Sequence, residues 1–209
     1  MNQKHSTCLN VSLLLAALTW PAGAITASVT SGFTITIHLY NYAAVPDKTL
    51  ARAKEEAGRI FRNAGLTALW VDHALSAGDL RHPHHSTDSW DGTHFVVRLL
   101  RQSREGASKN AMGEALSLDI NVFMNRVTEE AAVGEFSVGQ MLGHAIAHEI
   151  GHCLLGNNSH SPRGIMAGRW SAQDLCSISK GNLLFTHQEV TRIQAEVRHR
   201  SRSVLRVAD

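Results

Sequence analysis

Eighteen residues in the second half of the chain, Val138 to Leu155, are apolar on nearly every side and leave few places for themselves in a fold. Val138, Met141, Leu142, Ala145, Ile146, Ile150, Leu154 and Leu155 leave no continuous polar stripe, so a helix here belongs in the middle of a domain. Its start is marked by Ser137 with Gln140, the spacing of a capping box, and by Phe136 and Met141, placed to staple the entry. Gly156 closes the far end, giving a helix of roughly 27 Å. Yet its last two turns carry His148, Glu149 and His152, and burying three titratable groups demands partners for them.

Helix geometry gives those three residues a common purpose. Positions i and i+4 differ by about 40° around the axis, so both imidazoles face one point and can bind zinc through neutral nitrogens. Glu149 lies about 100° away, too far round to join them as a ligand but near a metal-bound water whose proton it can take. The chain holds 13 histidines in 209 residues, and His148 and His152, with Glu149 between them, stand at metal-ligand spacing. His144, one turn earlier, is read as packing near the site rather than as a ligand.

The remainder of the chain reads as one α+β domain, a mixed twisted sheet around that central helix. Phe33 to Tyr40 alternates as a strand with unequal faces. Pro46 and Asp47 open a helix along Leu50, Ala53, Ala57, Ile60, Phe61 and Ala64, which Gly65 stops, and Thr67 to Asp72 is a second strand. A strand, a helix and a strand at this spacing predict a parallel crossover. Phe95 to Leu100 and Asp119 to Met124 are further strands, Ala111 to Ser117 a short edge strand, and Thr186 to Arg200 a C-terminal helix. Ser76 to Thr93 is a polar loop. Its His82, His84, His85, Asp88 and Asp91, with His94, match no closed tetrahedral spacing and read as a solvated stretch.

Composition narrows the function classes. Lys and Arg number 20 against 18 Asp and Glu, a formal charge of +2, so no nucleic-acid partner is expected. Lys4 and His5, the apolar run Val11 to Trp20, Pro21 and Ala22-Gly23-Ala24 have the layout of a cleaved export signal over residues 1–24. That run is too short to span a bilayer, and no later hydrophobic run is long enough to cross one, so no integral membrane span is expected. The mature domain would be 25–209, secreted or periplasmic. In such a compartment Cys153 and Cys176 could pair or remain buried thiols.

Beyond the helix the chain runs HEIGHCLLGNNSHSPRGIM, which resembles the zinc signature and Met-turn of the metzincin metallopeptidases, in particular the matrixin-like group with its histidine-serine pair. The resemblance implies zinc ligands at His148, His152 and His160, the base at Glu149, a bend at Gly156 and a methionine floor at Met166. Each gap flanking Gly156 holds three residues, one more than the family pattern, and a carboxylate from the last helix, Glu189 or Glu196, is the alternative third ligand. Gly168 stands where some metzincins place a tyrosine. The implied activity is a secreted zinc endopeptidase that hydrolyses peptide bonds with a zinc-bound water activated by Glu149. Its substrate would lie extended along the edge strand near Ala111–Ser117. A zinc-binding module without turnover and a zinc hydrolase of non-protein substrates are the alternatives.

Overall fold

A computed structural model describes residues 33–75, 92–108, 111–134, 136–156 and 159–205. The expected export segment, and the histidines and acids of the 76–91 stretch, lie outside the described residues. In chain order the elements are β1 (Phe33–Tyr40), α1 (Asp47–Asn63), β2 (Leu66–His73), β3 (His94–Leu100), β4 (Gly113–Leu116), β5 (Asp119–Phe123), α2 (Met124–Val133), α3 (Val138–Leu155), α4 (Ala172–Ser179) and α5 (His187–Leu205). They form a mixed α/β fold around one five-stranded sheet in the order β2-β1-β3-β5-β4. β1 pairs in parallel with β2 and with β3, and β3 with β5, while β4 alone runs antiparallel, on β5.

Register and period two together set the two faces of this sheet. Ile37 opposes Phe95 and Leu39 opposes Val97, and Val97 and Leu99 oppose Ile120 and Val122. All are buried in one core with Ala57, Ile60 and Phe61 of α1, Leu142, Ile146 and Ile150 of α3, and Ile193 and Val197 of α5. α3 packs against α1, β4, β5 and α5, so the apolar helix does occupy the centre. Its approach to α1 depends on glycine: a Cβ at Gly139 or Gly143 would stand 2.7 Å from the carbonyl oxygens of Thr49 and Ala53.

Several boundaries differ from the sequence reading, each for a local reason. Ser137 Oγ accepts from Gln140 N at 3.1 Å, but the Gln140 side chain does not return the bond. It donates instead to Ile178 O at 3.0 Å, tying the end of α4 to the start of α3. β4 is shorter than the expected edge strand, because Ser117 turns with φ 59° into a two-residue connection to β5. Helices α2 and α4 are additions. Cys153 is buried and Cys176 exposed, and both are free thiols. Among the described residues no helix is long and apolar enough to cross a membrane.

On the opposite face of the sheet three histidines from adjacent strands meet, with His94 placed at the head of β3 rather than in a loop. His38 Nδ1 lies 2.9 Å from His73 Nε2, and His38 Nε2 lies 3.0 Å from His94 Nδ1. Burial, then the charges that His94 and His73 can carry, push the His38 pKa down from 6.5 to about 4. The proton is therefore held more tightly by the unfolded chain, and stability contributed by neutral His38 is complete above pH 6.5 and lost as pH falls towards 4. Metal-free protein is expected to lose stability through this group across that window. Urea unfolding at pH 7.5 and 4.5 checks it: His38→Gln should remove that part of the pH dependence, and an unchanged slope would contradict it.

Candidate metal centre

The site is assembled from the end of α3, the turn that follows, and β4. His148 and His152 project one turn apart, with their Nε2 atoms 3.1 Å apart. Gly156 ends the helix with φ 96° and ψ 158°, a backbone conformation closed to most side chains, while its N–H still donates to His152 O at 3.0 Å. The chain then reverses. Ser161 N donates to Met166 O at 2.9 Å, and Ile165 N to Leu184 O at 3.0 Å, so the returning turn is pinned at two points.

That turn brings His160 back to the helix. Its ring centroid is 4.7 Å from that of His152 and 5.5 Å from that of His148. One ligand nitrogen from each of the three histidines can be chosen so that all lie within 4.8 Å of one another. Met166 is fully buried against α3. A Cβ on Gly151, which directly precedes His152, would come 2.4 Å from its sulfur.

Hydrogen bonds orient the rings. His148 Nδ1 donates to Ile165 O at 2.7 Å, since a carbonyl can only accept, and this leaves the Nε2 lone pair facing the cluster. Trp170 Nε1 donates to the same carbonyl at 3.1 Å. His152 Nδ1 pairs with Ser159 Oγ at 3.2 Å, which likewise turns its Nε2 inward. Burial is the main reason that the pKa of His148 is lowered and that of His152 falls to about 4, so both are neutral at pH 7. Three imidazoles with ligand nitrogens within reach of one another, two of them with Nδ1 held by oxygen, form a donor set that fits Zn2+ and leaves a further coordination position open.

Glu149 is 6% exposed and lines the same cleft, of about 880 Å³, as the three histidines. Burial, then the negative charge of Glu114, raises its pKa to about 8. Cleft walls come from Met112, Gly113 and Ala115 on one side and Ala167, Gly168 and Trp170 on the other. β4 pairs only with β5 among the described strands, so its outer edge borders this cleft without a strand partner.

Neither alternative third ligand joins the histidines. Glu189 is buried beside the turn and spends its oxygens on Ser161 Oγ and Thr186 N. Glu196 pairs with Arg200 on its own helix at 2.7 Å. His144 is fully buried one turn above His148, edge-on to Trp170 and 3.7 Å from Glu56, away from the ligand cluster. The sequence reading gave no site role to Trp170 or to Gly113, which it took only as weakening the edge strand, and neither carries a motif that could have revealed it.

No protein-family model matches this chain, and no curated protein matches it in sequence. Solved structures do resemble it. A zinc-dependent peptidase from Methanocorpusculum labreanum aligns with a TM-score of 0.54 and 13% identity over 75% of this chain and 99% of its own. Archaemetzincin from Methanopyrus kandleri aligns with a TM-score of 0.52 and 14% identity over 81% of this chain and 99% of its own. At such identities the likeness is one of fold: the mixed sheet and its helices are arranged as in these zinc metallopeptidases.

Proposed function

We propose that this protein is a zinc-dependent endopeptidase, exported by its N-terminal segment, with His148, His152 and His160 as the metal ligands and Glu149 as the base. The observation that carries the reading is the convergence of three ligand nitrogens within 4.8 Å, with Glu149 lining the same cleft below an open sheet edge. The matrixin-like sequence after Gly156 supports the choice of His160. The two neighbouring folds, both zinc metallopeptidases, support hydrolysis of peptide bonds.

Zinc, when bound, supplies a Lewis acid that polarises a carbonyl oxygen and makes water easier to deprotonate. The protein's own groups do the rest. His148 and His152 keep their Nδ1 atoms on Ile165 O and Ser159 Oγ, so their orientation is set before a cation arrives. With a dication held by the three histidines, Glu149 would favour its carboxylate form, because opposite charge stabilises it. Glu149 can then take a proton from the attacking water and return it to the leaving amine nitrogen. The edge of β4 offers backbone donors and acceptors to an extended peptide, which is how a chain of varied sequence is held.

Gly113 sets the distance between that edge and the base. A Cβ there would stand 2.8 Å from Asn121 O and 2.8–2.9 Å from Glu149 Cγ and Oε1. Gly113→Ala is expected to retain zinc but lower kcat/KM about 10–100-fold, because displacing either the strand or the carboxylate misplaces the reacting groups. Steady-state kinetics with stoichiometric zinc checks this, and full activity would show that the close approach is dispensable. The proposed function as a whole is tested by metal analysis and casein cleavage. About one zinc per chain, activity lost to a chelator and activity restored by zinc are expected. A zinc-loaded protein that cleaves no peptide would overturn it.

A further inference from the structure

Helix α5 reaches the metal centre without supplying a ligand. Arg192 Nη2 donates to Leu155 O at 2.8 Å and Arg200 Nη2 to Cys153 O at 2.7 Å. These are last-turn carbonyls of α3, which lack partners within their own helix. Glu189 makes a third connection. Its Oε1 accepts from the Ser161 hydroxyl at 2.6 Å and its Oε2 from Thr186 N at 2.7 Å, and the residue is only 5% exposed. Ser161 Oγ also lies 2.9 Å from Arg163 O, but a hydroxyl has one proton, and the shorter contact to a carboxylate is the stronger.

Ser161 directly follows His160. With its hydroxyl on Glu189 and its N–H on Met166 O, the backbone at His160 is held on one side and the ring is left to face the cluster. His148 and His152 each have a hydrogen bond on Nδ1, whereas His160 has none among the described residues. Its ring is fenced only by contact, as a Cβ on Gly168 would stand 3.1 Å from its Nδ1. The exit segment from His152 to His160 is also longer than the pattern it resembles, and a longer loop has more conformations to lose on closing.

We propose that Glu189 is a positioning residue of the metal centre, which through Ser161 places His160 and thereby sets zinc affinity. This rests on the reading of His160 as the third ligand. The carboxylate serves two structures at once, capping α5 through Thr186 N and restraining the ligand turn through Ser161. A helix cap alone would need only the first.

The test compares wild type with Ser161→Ala, Glu189→Ala, Thr186→Ala and His160→Ala. Zinc dissociation constants come from competition with a chelating fluorophore, and the visible absorption of the Co2+-substituted forms reports ligand geometry. Ser161→Ala and Glu189→Ala are expected to raise the zinc dissociation constant about 10–100-fold and to alter the cobalt bands. Metal-free Ser161→Ala keeps the Glu189 bond to Thr186 N and should fold, so that variant decides if Glu189→Ala folds poorly. Thr186→Ala should lower the melting temperature but keep zinc affinity within about twofold. Wild-type zinc affinity and cobalt bands in Ser161→Ala, with His160→Ala strongly weakened, would overturn the positioning role and leave the metal site standing. Wild-type zinc affinity in His160→Ala would instead remove the reading on which the inference rests.

Discussion

Replacing Glu149 by Gln is expected to leave zinc content and fold intact and to reduce peptide hydrolysis by at least about 10²–10⁴-fold, the contribution usual for a positioned proton-transfer group. The side chain is buried and makes no side-chain hydrogen bond among the described residues, so the change removes chemistry without opening a cavity. Its raised pKa, caused by burial and by Glu114, already marks a carboxylate whose charge the protein alone does not stabilise. An amide of the same shape avoids that burial cost, so metal-free Glu149→Gln should be at least as stable as wild type. The measurement is kcat/KM on a peptide substrate at matched zinc occupancy, together with a urea melt. Turnover like that of wild type would exclude Glu149 as the base.

His148→Ala is expected to cost more, because it removes a ligand rather than a reactant. Two histidines remain of three, and the Ile165 carbonyl keeps only the Trp170 donor. Loss of the ion removes a Lewis-acid contribution of several kcal/mol, so activity should fall about 10³-fold or more. Stability should fall too, since an ion bound only by the folded state adds about 2.7 kcal/mol at a hundred times its dissociation constant. Differential scanning calorimetry with and without added zinc separates the effects. Wild type should gain melting temperature with zinc and His148→Ala should not. An equal gain in both would place the ion elsewhere.

The central helix was legible because three independent signals coincide on it: an all-round apolar face, a serine cap and a glycine stop. The alternation of β1 and the parallel crossover to β2 were legible for a similar reason, since a buried face fixes both period and register. Helix α2 was not, because it starts at Met124 straight from β5, with Phe123 at the N-cap and no side-chain cap to announce it. Helix α4 does carry a readable cap, Ser171 with Asp174, but it is only eight residues long and buries Ile178 alone. The His38–His73–His94 row could not be read from spacing, since register alone joins residues 35 and 56 positions apart. Glu189 looked like a rival ligand because carboxylates do bind zinc. The spacing of Thr186 and Glu189 is that of a capping box, and the structure uses it so, with one oxygen to spare for Ser161.

The braces supplied by α5 impose an order in time. A ribosome delivers Met166 before Glu189, so a nascent chain holding every motif histidine still lacks Glu189, Arg192 and Arg200. Until those residues arrive, the carbonyls of Leu155 and Cys153 and the hydroxyl of Ser161 have no α5 partner, and the ligand turn rests on its backbone bonds to Met166 and Leu184. The histidines are thus made early and fastened late. The full set of restraints on the ligand turn is therefore available only to a chain synthesised through Arg200.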